Sequence, residues 1–118
     1  MARYRFYPPA DARQDEIWRY TVKTWSVEQA KVYIRGLHDH LQKLADEELF
    51  WHRLPRRLVV PTDLKIETYL SRYEKHYIFF RELSDGIGVM SILHENMNMP
   101  VRLKEDLQRL QKDVDEKE

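Results

Sequence analysis

The chain has 118 residues and carries 20 Lys plus Arg against 20 Asp plus Glu, a formal net charge of zero. That length builds one hydrophobic core rather than two, and the absence of cysteine excludes a disulfide framework and thiolate metal sites. Neutrality argues against a polyanion as direct substrate, because phosphate neutralisation normally shows as a basic excess, although a local basic patch is compatible with it. Met1 to Arg5 opens without an apolar signal segment, and no apolar run approaches the roughly 20 residues that cross a bilayer. The expectation is a soluble, cytoplasmic protein. Arg3 to Tyr7 alternates charged and aromatic residues, the pattern of a short strand with Tyr4 and Phe6 on one face. Pro8-Pro9 stops it, and Pro9 suits the start of a helix, where its missing N–H costs nothing. From Ala10 to Trp25 the spacing is helical, with Ile17, Tyr20, Thr21 and Thr24 on one side and Trp18, Val22 and Trp25 beside them. Ser26 then caps a second helix, with Gln29 completing a capping box. Ala30, Tyr33, Ile34, Leu37, Leu41 and Leu44 form one apolar stripe along it. So short a link predicts an antiparallel αα-hairpin. Gly36, beside the stripe, costs about 1 kcal/mol relative to alanine and leaves room for another backbone.

Asp46 to Asp63 reads as irregular, with Pro55 and Pro61 bracketing Arg56-Arg57-Leu58-Val59-Val60. Leu64 to Tyr73 alternates as a strand, and Arg72 to Lys75 is a polar turn. Tyr77–Leu83 and Ile87–Leu93 are two further strands around Asp85-Gly86, a dipeptide that supplies the φ > 0 residues of a tight hairpin. Their nearly continuous apolar runs predict strands covered on both faces. After Pro100, Leu103, Leu107, Leu110 and Val114 step by four, three and four along a charged helix. Two heptads are too short to stand alone, so this stripe docks on its own sheet or on a partner. Residues 113–118 read as an unstructured tail. The order is βααβββα: a single α+β domain whose antiparallel sheet packs against the αα-hairpin, with a C-terminal helix.

Several residue groups invite a chemical reading. His38 and His40 lie two apart on a helix and so point about 200° away from each other rather than chelating jointly; a solvated helix face is the expectation. With three glycines there is no phosphate-cradling loop, and no cofactor is expected. Trp18, Trp25 and Trp51 read as core and core rim. Phe50 and Trp51, beside Arg53, Arg56 and Arg57, suit either a protein interface, where Trp and Arg concentrate, or a cover over the open end of the helical hairpin. The groups able to cut RNA, by activating a 2′-hydroxyl and stabilising the phosphorane, are Arg81, His94 and Glu95, with Arg56 and Arg57. Their structural alternative is a carboxylate partner for Arg81 and a backbone carbonyl for His94.

Four strings in order give the chain a resemblance. Glu16-Ile17-Trp18-Arg19-Tyr20-Thr21, then Trp25 with Glu28-Gln29-Ala30, then His76-Tyr77-Ile78-Phe79-Phe80-Arg81, then Asp85-Gly86-Ile87 through Ile92-Leu93-His94-Glu95 and Met97 resemble the ParE branch of the ParE/RelE toxin superfamily. The likeness covers roughly residues 4–103. It departs at Arg13-Gln14, where the family often has Asp-Leu, at Phe80 in place of tyrosine, and at Asn96 and Asn98 in place of an arginine and an aspartate. The resemblance implies a toxin of a type II toxin–antitoxin pair that inhibits DNA gyrase by protein contact without catalysis. It also implies a ParD-like or other type II antitoxin as partner, within a larger hetero-oligomer. Partner contacts are expected at Phe50, Trp51, Arg56, Arg57, Arg81, Met97, Met99, Leu103 and Leu107. The alternative within the superfamily is a RelE-like, ribosome-dependent mRNA endonuclease using Arg81, His94 and Glu95; RelE-type enzymes present basic and tyrosine residues after the last strand, where this chain has Asn96-Met97-Asn98-Met99.

Overall fold

The computed structural model describes residues 2–54 and 67–117, with side chains to Leu110. Pro55, Arg56, Arg57, Pro61 and the start of the strand expected from Leu64 lie outside the described residues. The chain runs β1 (Arg3–Phe6), α1 (Pro8–Thr24), α2 (Val27–Ala45), β2 (His52–Arg53), β3 (Tyr69–Tyr73), β4 (His76–Leu83), β5 (Gly86–His94) and α3 (Met99–Lys117). The α+β class, the helical hairpin and the C-terminal helix are as the sequence predicts. The strands form one sheet in the order β1-β5-β4-β3-β2. Three of its four pairings are antiparallel, but β1 lies parallel to β5, so the sheet is mixed rather than wholly antiparallel. Parallel neighbours need a long crossover, and the whole chain between Phe6 and Gly86 supplies it. The two-residue β2, inside the segment read as irregular, adds an edge to β3. Helix α3 continues to Lys117, past Asp113, where the sequence reading begins a tail.

Local chemistry sets the boundaries. Pro8 and Pro9 occupy the first positions of α1, where fixed φ helps and a missing N–H is harmless. Ser26 Oγ accepts the Gln29 amide at 3.0 Å and starts α2. Helix α2 ends through a Schellman arrangement: the Glu47 N–H donates to Leu44 O, the Glu48 N–H to Lys43 O, and Glu47 takes φ 59. A side chain in that left-handed position is strained. Glu47→Gly is therefore expected to stabilise the protein by about 0.5–1 kcal/mol, read as a higher urea midpoint; a lower midpoint would refute the strain argument.

The β4–β5 turn sits on Ser84 and Asp85, because Leu83 pairs with Gly86. That is one residue earlier than Asp85-Gly86. The glycine is required immediately after the turn, where φ is +152 and a Cβ would lie 1.7 Å from the Arg3 carbonyl oxygen. Gly36 likewise admits a neighbour, but a side chain rather than a backbone: a Cβ there would lie 2.1 Å from the Tyr73 hydroxyl.

Two cores cover the sheet's two faces, as the apolar runs of β4 and β5 predict. On one face, Leu37, Leu41 and Leu44 of α2 with Ala10 and Ile17 of α1 meet Ile78, Phe80, Ile87, Val89 and Ile92. On the other, Leu103, Leu107 and Leu110 of α3 meet Phe79, Met90 and Leu93. A bulge lets one strand pair serve both faces. Phe79 pairs with Ser91 and Phe80 with Val89, which leaves Met90 as the extra residue of β5. A bulge of this kind puts two successive side chains on one face, here Met90 in the second core and Ser91 bonded to α3.

Candidate functional site

The bulge also decides what meets at the open end of β4 and β5. Counting back from the Leu83–Gly86 pair without it, His76 would face Leu93. With the extra residue, His76 stands directly opposite His94, and their rings are 5.0 Å apart, edge to face. The Tyr33 hydroxyl of α2 lies 2.5 Å from His76 Nδ1. Burial, with the His94 charge adding to it, lowers the His76 pKa to about 4, so the ring is neutral at neutral pH. The pair sits at one side of an open groove of about 370 Å³, whose other wall is Glu16, Ile17 and Tyr20 of α1, with Ile92 and Met97 completing its apolar lining. Tyr20, on the same side of α1 as the buried Ile17, is 64% exposed at this wall.

Arg81, His94 and Glu95 are not brought together. Arg81 pairs with Gly88 and His76 with His94, five residues apart along β4, which is about 17 Å. Strand alternation also sends Arg81 to the α3 face, while His76 turns toward α2. Among the described residues no carboxylate pairs with Arg81. Glu95 is engaged elsewhere: its carboxylate takes Arg72 at 2.8 Å, and its backbone N–H donates to Lys75 O. Both contacts brace the β3–β4 turn, where Glu74 takes φ 50. His94 Nδ1 accepts the Asn96 amide at 3.1 Å, so it fixes the exit of β5 through an N–H rather than through a carbonyl.

Phe50 and Trp51 divide. Trp51 Nε1 donates to the Leu44 carbonyl at 2.8 Å, and its ring packs on Tyr69 and Phe80, closing the end of the first core. Phe50 is 76% exposed and touches the His52 ring. Trp25, read as core, is 74% exposed at the tip of the hairpin, because it is the C-cap of α1 and lies beyond the packed face. Met97 and Met99 are half-buried against the second core. Leu103 and Leu107, expected to contact a partner, are filled by this chain's own sheet. Arg56 and Arg57 lie outside the described residues.

Two features that the sequence reading left without a structural role tie these surfaces down. The first is Arg13, noted only as a departure from an apolar family position. It makes a two-pronged pair with Asp106 of α3, Nε to Oδ2 and Nη2 to Oδ1, both at 3.1 Å, and Ser91 Oγ donates to the same carboxylate at 2.6 Å. Burial works against the Arg13 charge, but the Asp106 and Glu16 carboxylates outweigh it and raise its pKa. The second is the set of α2 histidines. His38 and His40 are half-buried and partnered rather than solvated. The only sequence signal for Asp106 was a carboxylate one residue before Leu107 of the apolar stripe. Among the described residues no group of three or more His, Cys, Asp or Glu is placed to hold a metal, and no helix is long and apolar enough to cross a membrane.

The profile of the family described as "ParE toxin of type II toxin-antitoxin system, parDE" matches residues 4–99. The chain belongs to the ParE toxin family. Curated relatives of this ParE toxin agree over nearly their whole length. Toxin ParE1 of Mycobacterium tuberculosis is 28% identical over 99 residues, 83% of this chain and 94% of its own. Toxin ParE1 of Caulobacter vibrioides is 27% identical over 103 residues, 87% and 99% of the two chains. Toxin ParE of Escherichia coli is 29% identical over 108 residues, 91% and 98%. The fold is also that of a chain in the structure described as "Chromosomal ParDE TA system from P. aeruginosa", with TM-score 0.56 at 15% identity over 80% of this chain and 96% of the other. The family match ends at Met99, the first residue of α3, so the helix that covers the second sheet face lies almost wholly beyond it.

Proposed function

We propose that this ParE toxin acts without catalysis, inhibiting DNA gyrase by protein–protein contact, and that a ParD-like antitoxin neutralises it in a hetero-oligomer. The observation that carries the non-catalytic reading is the separation of Arg81 from His94 and Glu95. General acid–base cleavage needs its groups within hydrogen-bond reach of one phosphate, and about 17 Å of strand stands between these. Glu95 is further held by Arg72. The sheet face carrying Arg81 is also occupied by Leu103, Leu107 and Leu110, which narrows the space an RNA strand needs there. Zero net charge points the same way, toward protein partners rather than direct nucleic-acid binding.

The partner surface is drawn from Phe50, Arg81, Met97 and Met99, side chains that the fold leaves wholly or partly exposed; Arg56 and Arg57, outside the described residues, are proposed to join it. Trp51, next to Phe50 in the chain, packs into the first core, and Met99 packs against the cluster that holds Leu103 and Leu107. The deciding test is a gyrase supercoiling assay with purified toxin, run beside ribosome-dependent mRNA cleavage. Lost supercoiling with intact mRNA is the expected result; cut mRNA with unaffected gyrase would replace this function with the RelE-like one. A second expectation separates Phe50 from Trp51. Phe50→Ala should weaken antitoxin or gyrase binding about tenfold, the level of an interfacial hot spot, with an unchanged melting temperature. Trp51→Ala should lower the melting temperature, since its ring and N–H are spent inside. Equal binding by Phe50→Ala and wild type would remove Phe50 from the interface.

A further inference from the structure

Helix α2 lies on the sheet with Leu37, Leu41 and Leu44 in the middle and a row of histidine contacts on either flank. On the β1 flank, His38 uses both ring nitrogens: Nδ1 is 2.9 Å from the Tyr4 hydroxyl and Nε2 is 2.5 Å from Gln14 Oε1 of α1. An amide oxygen only accepts, so Nε2 carries the proton and Nδ1 accepts from Tyr4. On the β3 flank, His40 Nε2 is 2.8 Å from Ser71 Oγ, and Tyr33 OH reaches His76 Nδ1 at 2.5 Å. Apart from the Tyr73 hydroxyl, which donates to the Tyr33 carbonyl at 3.3 Å, the side-chain hydrogen bonds from α2 to β3, β4 and α1 among the described residues pass through a histidine. The 200° separation that makes His38 and His40 useless as a chelate is what puts one on each side of the apolar stripe.

We propose that this seam is an acid-sensitive latch, in which protonation of His38, His40 and His76 releases the α1–α2 hairpin from the sheet. His38, placed between β1 and α1, would lose its acceptor for the Tyr4 hydroxyl on gaining a second proton. The charges facing these rings offer little relief. Asp39, next to His38 on α2, favours the cation there, but burial is the larger effect and the pKa is lowered. Burial and then Lys43 lower the His40 pKa, with only Ser71 and the Tyr73 ring across from it on β3. Burial and then His94 of β5 lower that of His76, which faces Tyr33 of α2 and shares its groove with Arg13 and Glu16 of α1. A histidine whose folded pKa lies below its unfolded value of about 6.5 stabilises the fold fully above that value. The contribution is lost as pH falls, and for His76 the loss continues to about 4.

The test is amide hydrogen exchange on the full chain at pH 7.5 and pH 5.0, corrected for intrinsic rates. Protection of residues 27–45 is expected to fall at least tenfold more than that of residues 87–93. His38→Asn and His40→Asn, each able to keep a polar partner, should each reduce the acid-induced loss. Imidazole titration by NMR on the wild-type protein gives a readout that needs no variant, and should place the three rings below 6.5. Equal acid response in α2 and β5, or an unchanged response in both variants, would overturn the latch.

Discussion

Asp106→Ala is expected to destabilise the toxin by about 3 kcal/mol, lowering Tm by roughly 10 °C. The Asp106 side chain is 2% exposed, and that of Arg13 is 14% exposed. Removing the carboxylate leaves the guanidinium with only the exposed Glu16 contact at 3.2 Å and leaves the Ser91 hydroxyl without its acceptor. A buried donor stripped of its partner costs more than the net worth of the bond it made. The effect is specific to an orphaned charge, so the double variant Arg13→Met with Asp106→Leu should recover at least half of the loss. Glu16→Gln, which touches only the exposed arm of the network, should cost under about 0.5 kcal/mol. Thermal melts of these three variants decide the matter. An Asp106→Ala protein within about 1 kcal/mol of wild type, or a double variant no better than the single, would sink the network as the fastening of α3.

Gly86→Ala is expected to cost about 2–5 kcal/mol, combining a backbone conformation that side chains rarely adopt with a collision against β1. The new methyl would lie 1.7 Å from the Arg3 carbonyl oxygen, in the pairing where the Arg3 N–H also donates to Asp85 O at 2.7 Å. Backbone cannot rotate out of the way, so β1 must leave β5 at that point and take Tyr4 and its His38 contact with it. Gly36→Ala is the comparison. Its methyl meets the far end of the Tyr73 side chain, which can swing aside, giving up a 3.3 Å bond to Tyr33 O. Its loss should stay near 1 kcal/mol, partly offset by the helix preference for alanine. Urea unfolding of both variants tests the ordering, and a Gly36→Ala protein less stable than Gly86→Ala would contradict it.

The elements and what covers them are written in local stretches of the chain. Pro8-Pro9, the Ser26 cap and the Leu37–Leu41–Leu44 spacing specify the helical hairpin locally, within one turn of chain. The unbroken apolar runs of β4 and β5 specify strands with two covered faces, and Leu103, Leu107 and Leu110 specify a helix able to cover one. Family membership was legible for the same reason, since its strings are short and contiguous. The remaining features depend on groups far apart in the chain and emerge only on folding. The parallel seat of β1 beside β5 is a long-range pairing that no local spacing encodes. A single extra residue at Met90 determines that His76 faces His94 rather than Leu93, and nothing in the composition of that run marks a bulge. Arg13 reads as a misplaced charge until Asp106, 93 residues away, is brought against it. His38 and His40 read as solvent-facing from helix angles alone, because the sheet is wide enough to reach both flanks of α2 with Tyr4 on one side and Ser71 on the other. Periodicity reports which face of an element is apolar; the partners of its polar residues are set by the register and crossing of elements, and the candidate site was built from those.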